Sequence, residues 1–315
     1  MTDSIKRENL LGIGFITLAM AAFAVEDSLI KLLSTRLSSG HILLMIDVRI
    51  FDAADIFLFC LSSGQLLLMI GVGGTLGFYL WSRHKGEGVT AEMIRNPWVI
   101  GRTLSELVGT AFFVLSLALV PITTVSAIIQ VSPLLVTLGA AVVLREKVGI
   151  RRWSAILVGL FGVAVILRPW SAAFEASALL ALMGVIGLSA RDVATRRIVK
   201  STPSLALATL GFGATIPAGL ILLIFDPRFV WPASSDALLI AVSILIAIGG
   251  YYCIIAAMRI GEVSAVVPFR YSRLVFGVAI GVWYFGEVLD QWTLIGSAIV
   301  VLSGLYALWR ESQLR

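Results

Sequence analysis

The sequence predicts an all-α integral membrane protein of ten transmembrane helices, arranged as two five-helix inverted repeats. Three observations carry this. The 315 residues are 59% hydrophobic and only 14% charged, against about 45–50% apolar and about 25% charged in soluble domains. The apolar residues fall into stretches long enough to cross a bilayer, which takes about 20 residues per helix. Finally, a stretch of the second half repeats the order of landmark residues found in the first.

Taken in chain order, spans are expected at residues 10–33, 58–81, 98–119, 123–144 and 153–169, then at 176–195, 204–224, 237–258, 263–286 and 293–310. Backbone polar groups in lipid must be satisfied within the segment, so these are helices. None shows the period of two that a membrane barrel needs. The first span follows nine mostly polar residues and has no small-residue cleavage site after it, so it reads as a retained helix and not a signal peptide. Between spans one and two, residues 37–46 (LSSGHILLMI) and 61–70 (LSSGQLLLMI) are a near-duplicate. The second copy continues into a span. The first runs into Asp47, Arg49, Asp52 and Asp55, so residues 37–55 are expected as an outer or interfacial segment. Cys60 and Cys253 both lie in apolar stretches and indicate neither a disulfide nor a zinc site.

Lys and Arg in the loops set the orientation. With the N-terminus inside, the inner side receives Lys6, Arg7, Arg83, Lys85, Arg95, Arg145, Lys147, Arg151, Arg152, Arg196, Arg197, Lys200, Arg310 and Arg315. The outer side receives only Lys31, Arg36, Arg168 and Arg228. Both termini are therefore expected in the cytoplasm. The net charge of +5 belongs to these loops and does not point to nucleic acid.

Residues 115–168 and 253–310 carry the repeat. Each has Val-Ser-Ala at the start of a span (Val125, Val263), a Glu at its end (Glu146, Glu287), then a Trp (Trp153, Trp292) and a Gly-containing final helix (Gly162, Gly304). The separation of about 140 residues holds five spans, and an odd number inverts the second copy in the membrane. Inverted repeats with a midplane site between them are characteristic of secondary transporters. The halves are expected at residues 10–169 and 176–310.

Stretches 118–133, 144–168 and 257–310 resemble the drug/metabolite transporter superfamily, EamA type. EKVGIRRW (146–153) and VPFRYSRLVF (267–276) look like its ten-helix branch, which is associated with uptake of S-adenosylmethionine and of riboflavin; other members export amino acids and related metabolites. The resemblance implies two inverted five-helix repeats, cytoplasmic termini and a central cavity. The duplicated segment before span two departs from the family pattern.

Ionisable residues at membrane depth are costly and are functional candidates by default. Asp27 and Lys31 are four apart and can pair on one helix face, either as a neutralised structural pair or as part of a site. Glu26 has no partner at helical spacing and is the candidate cation- or proton-binding carboxylate. Arg102 and Glu106 form a second such pair. Arg191 and Asp192 end span six, ahead of the anchoring Arg196 and Arg197, and either pair or face a cavity. In span nine Arg270 and Arg273 share a face, with Tyr271 beside them and Pro268 just before, where a backbone donor is lost. The two arginines snorkel to the inner surface, bind an anionic group, or pair with Glu106 or Asp192. Gln130, Pro133, Tyr251 and Tyr252 are further candidates to line a cavity, since polar-tipped rings suit a flat substrate. Gly277 and Gly281 are spaced for close helix contact. The expected substrate-binding set is thus Glu26, Gln130, Tyr251, Arg270, Tyr271 and Arg273, and the structural ion-pair set is Asp27, Lys31, Arg102, Glu106, Arg191 and Asp192.

These residues read as a secondary carrier for a small organic metabolite in a bacterial cytoplasmic membrane. A membrane-embedded enzyme is the rival, but only His41 and His84 are present, in separate regions, and there is no H-E-x-x-H. A non-transporting scaffold is the other. No Walker A sequence occurs, and no cofactor or metal is expected. The expected partners are the metabolite and membrane lipid; nothing excludes a homodimer.

Overall fold

The computed structural model describes residues 3–37, 53–146, 149–171, 174–199, 201–225, 231–260 and 262–312. Every regular element among them is helical. In order they are α1 (Asp3–Leu37), α2 (Ala53–His84), α3 (Ala91–Arg95), α4 (Pro97–Leu119), α5 (Ile122–Ile128), α6 (Ser132–Val142), α7 (Ile150–Leu167), α8 (Ala178–Arg197), α9 (Ser204–Phe225), α10 (Ser234–Ile260), α11 (Val263–Val266), α12 (Ser272–Trp283) and α13 (Gln291–Ser312). Nine segments among the described residues are long and apolar enough to cross a membrane, counting α5 and α6 as one. The protein is a multi-pass membrane protein.

Two expected spans differ from continuous helices. The span expected at 123–144 is α5 and α6, joined by a 3₁₀ turn at Ile129–Val131. The span expected at 263–286 is α11 and α12, joined by a 3₁₀ turn at Val267–Tyr271. Pro268 sits inside the second turn, where its missing N–H cannot continue an α-helical ladder. Pro133 falls in the first turn of α6, a position that has no use for the donor. The restarts correspond, Ser132 to Ser272, as do the ends, Val142 to Trp283.

Those ends share a cap. Arg145 (φ 56°) and Gly286 (φ 64°) are both left-handed. The next residue in each case donates its N–H six residues back, Glu146 to Ala140 O at 3.1 Å and Glu287 to Gly281 O at 2.9 Å. The bond satisfies a helix-end carbonyl that has no partner within its own helix.

The first part of the chain departs from expectation at one boundary. α2 starts at Ala53, not at 58, so residues 53–55 of the expected interfacial segment are helical. A helix need not end at the hydrocarbon edge, and the apolar run of α2 takes in residues 56–61, leading into the second duplicate copy. Residues 38–52, with most of the first duplicate copy and Asp47, Arg49 and Asp52, lie outside the described residues.

The helices pack in pairs: α1 with α10, α4 with α8, α2 with α9 and α7 with α13, while α6 lies on α8, and α12 lies on α1 and α5. Numbering the spans one to ten, this scheme maps onto itself when each span is exchanged with the one five places along. Close approach between α4 and α8 depends on glycine, as a Cβ on Gly109 would stand 2.6 Å from Leu188 N. The expected Gly277 and Gly281 contact is present, because a Cβ on either would run into Ser126 or Thr123 of α5. The largest buried cluster surrounds α5 and the turn after it, with Ile122, Val125, Ile128 and Val131 packed on Leu117, Val163 and Val300.

Candidate functional site

Seven helices converge on a cavity with about 930 Å³ of empty space, part of it open to solvent. α1 contributes Phe23, Glu26, Asp27 and Ile30, one face at three- and four-residue spacing. α4 contributes Arg102, Glu106, Thr110, Phe113 and Val114 by the same rule. α9 supplies Ala208, Gly211, Phe212 and Thr215. α2 adds Leu66, Leu67 and Ile70, α8 adds Leu188 and Arg191, and α10 and α12 add Tyr251 and Arg273. The wall is mostly apolar, with few charged groups converging, which is the usual make-up of a small-molecule site.

Two ion clusters hold those charges. Asp27 Oδ2 accepts from Arg273 Nη2 at 2.6 Å and Nε at 3.2 Å. The Arg273 guanidinium lies over the rings of Phe23, at 5.5 Å, and Phe113, at 5.6 Å. Glu106 is shared by Arg191 Nη1 at 2.7 Å and Arg102 Nη2 at 3.5 Å, and Arg191 also binds Asp192 at 2.9 Å. Arg102 donates in addition to Leu207 O at 3.1 Å. Gly211 leaves room for this cluster, since a Cβ there would sit 3.2 Å from Glu106 Oε2.

Glu26 is different. It lines the cavity, and no hydrogen bond or ion pair to it occurs among the described residues. The cavity wall itself carries three carboxylates, Glu26, Asp27 and Glu106, and three guanidiniums, Arg102, Arg191 and Arg273, while Asp192, outside the wall, takes part of Arg191. Glu26 is the carboxylate of the wall that no arginine bonds. An uncompensated charge away from water is expensive, so this carboxyl is neutralised by a proton or by a bound cation.

The expected residues sort into three groups. Glu26, Tyr251 and Arg273 are together in the cavity wall, as are Asp27, Arg102, Glu106 and Arg191. Gln130, Arg270 and Tyr271 are not in that wall. Gln130 Nε2 donates to Tyr271 O at 2.7 Å and ties the two 3₁₀ turns together. The Tyr271 hydroxyl is buried against Gly304 of α13, with no hydrogen-bond partner among the described residues. Tyr252 is exposed, and its ring meets Trp81. The four-residue spacing of Asp27 and Lys31 is real, but the two do not pair. α1 turns Asp27 towards α12 and Lys31 towards Glu287, 3.8 Å away. Arg273 pairs with Asp27, not with Glu106 or Asp192. Phe23, Phe113, Phe212 and Thr110 carried no signal in the sequence, because apolar residues in a membrane span face lipid, neighbours or a cavity with the same composition.

Residues 176–309 match the family model of the EamA-like transporter family. The chain is 30% identical over 208 residues to a riboflavin transporter of Vibrio cholerae, covering 65% of this chain and 69% of that protein. It is 25% identical over 316 residues to an S-adenosylmethionine uptake transporter of Rickettsia prowazekii, covering 99% and 97%. A pseudopaline exporter of Pseudomonas aeruginosa is 22% identical over 77% of this chain and 85% of its own. One solved crystal structure superposes with a TM-score of 0.59 at 20% identity, over 96% of this chain and 98% of that one, a likeness of fold alone.

Proposed function

The chain belongs to the EamA-like transporter family, and from that premise we propose that it is a secondary carrier for a small metabolite bearing net positive charge, S-adenosylmethionine being the best fit. The observation that carries this is Glu26, the one carboxylate of the cavity without a partner. A sulfonium or ammonium group compensates it. The Arg102–Glu106–Arg191 cluster offers guanidinium edges to a substrate carboxylate, and Phe23, Phe113, Phe212 and Tyr251 offer faces to a flat ring. S-adenosylmethionine brings all three groups. Riboflavin and amino acids remain the candidates that need no counter-charge at Glu26.

The carrier works by alternating access between halves at residues 10–169 and 176–310, related as inverted repeats. Supporting this are the corresponding breaks and caps of the two interrupted spans and the self-mapping of the helix pairs. It sits in a bacterial cytoplasmic membrane with both termini inside.

Proteoliposomes loaded with the purified protein test the substrate. We expect saturable uptake of labelled S-adenosylmethionine, with KM raised about tenfold or more by Glu26→Gln, a loss of about 1.4 kcal/mol. Saturable uptake of riboflavin but not of S-adenosylmethionine, unchanged by Glu26→Gln, overturns the cationic substrate and keeps the carrier.

A further inference from the structure

Two ion pairs at opposite ends of the helices occupy corresponding places. Lys31 lies five residues after Glu26 in α1, and Arg196 lies five residues after Arg191 in α8. Lys31 Nζ meets Glu287 Oε1 at 3.8 Å, and Arg196 Nη1 meets Glu146 Oε2 at 3.6 Å. Both glutamates follow a left-handed residue and make the same backbone bond six residues back.

The pairs differ in tightness. The Lys31 and Glu287 side chains are 14% and 12% exposed. Lys31 also donates to Leu117 O at 3.3 Å and Val120 O at 2.6 Å, the carbonyl end of α4. Glu287 accepts from Ile122 N at 2.7 Å and Thr123 N at 3.0 Å, the free amides at the head of α5. One knot therefore joins α1, the α4–α5 corner and the end of α12. Arg196 and Glu146 are 47% and 51% exposed, and neither makes another side-chain hydrogen bond among the described residues. On the other side, Glu262 N, just before α11, is held by Asn9 Oδ1 at 2.8 Å, with Asn9 Nδ2 3.2 Å from Glu262 Oε2.

We propose that Lys31–Glu287 and Arg196–Glu146 are alternating latches of the transport cycle, positioning residues that seal opposite faces of the cavity in turn. The structure has the Lys31 face latched and the Arg196 face released. In the opposite state Glu146 takes Glu262 N, just before α11, from Asn9, and Arg196 caps the carbonyl end of α10. The Lys31 knot then loosens into an exposed pair. Charge-assisted bonds to helix ends suit a latch, because the orphan amides and carbonyls have water as their ready alternative partner. The inference rests on alternating access between the two halves.

The test uses the full-length protein with Cys60→Ser and Cys253→Ser and a single cysteine at Thr110→Cys in the cavity wall. A membrane-impermeant maleimide is applied to right-side-out and to inside-out vesicles. The parent should label from the Arg196 face at least tenfold faster than from the Lys31 face. Adding Lys31→Met should raise labelling from the Lys31 face fivefold or more. Lys31→Arg should keep labelling one-sided, and Arg196→Met should leave it unchanged. Should Lys31→Met fail to fold, Glu287→Gln must give the same two-sided result. Exchanging the charges, Lys31→Glu with Glu287→Lys, should not restore the seal, since a carboxylate would then face the Leu117 and Val120 carbonyls. One-sided labelling in both Lys31→Met and Glu287→Gln overturns the latch and leaves the carrier standing. A parent labelled equally from both faces overturns the latched Lys31 face, and the latch with it, while alternating access stands.

Discussion

Glu106 holds two guanidiniums at once, and Asp27 spends one oxygen on a single arginine. Both arrangements sit where water is scarce, so each partner depends on the other. Removing one side of a buried pair strands a charge and costs about 3–5 kcal/mol. We expect Asp27→Ala to lose that much in detergent unfolding, and Asp27→Ala with Arg273→Met to lose clearly less than the two single variants summed. Tyr271 gives the opposite expectation. Its hydroxyl is buried with no hydrogen-bond partner among the described residues, so Tyr271→Phe should hold or gain stability by about 1 kcal/mol and leave uptake unchanged. An uptake defect in that variant would return Tyr271 to the substrate site. At this scale the sequence shows which residues can share a helix face but not what that face meets. Arg102 and Glu106 pair as their spacing allows. Asp27 and Lys31 have the same spacing and part company, because partners from α12 and from the residue after its cap reach them from opposite sides.

The two interrupted spans are the elements that set the geometry. In the second, Pro268 announced the break; in the first, the turn at Ile129–Val131 precedes Pro133, and composition alone reads as one smooth span. Their ends make a controlled comparison, since the same cap is built once on glycine and once on arginine. A side chain in the left-handed region costs roughly 1–2 kcal/mol. Gly286→Ala should therefore lose about 1 kcal/mol of unfolding free energy, and Arg145→Gly should gain about 0.5–1 kcal/mol. Equal shifts of one sign would mean that the two caps are not equivalent. The order Val-Ser-Ala, Glu, Trp, Gly was visible in the sequence and located these equivalent elements. The 3₁₀ turns themselves were not, because they arise where the two spans cross and Gln130 is bonded to Tyr271.

Across the whole molecule, hydropathy was enough to place nine of the ten expected spans, the interrupted one at 263–286 being the exception. Which helices touch was hidden, since the glycine contacts that join them are also common in spans that join nothing. Counting the interrupted span of α11 and α12 as a crossing beside the nine makes the number even, so with basic loops on one side, reporter fusions at the N-terminus and at the C-terminus should both read cytoplasmic; a split result would remove one crossing. The charge inventory of the cavity has an electrical consequence. With Glu26 ionised when vacant and a monocation bound there when filled, the two forms of the protein differ by one charge as they cross. An inside-negative voltage then favours the outward return of the vacant site over that of the filled one. Each 100 mV is worth about 2.3 kcal/mol per charge, or accumulation of about 50-fold at 1.4 kcal/mol per decade. Potassium-diffusion potentials in proteoliposomes should reveal an electrogenic cycle, and in Glu26→Gln the voltage dependence should move from the return of the empty site to the loaded step.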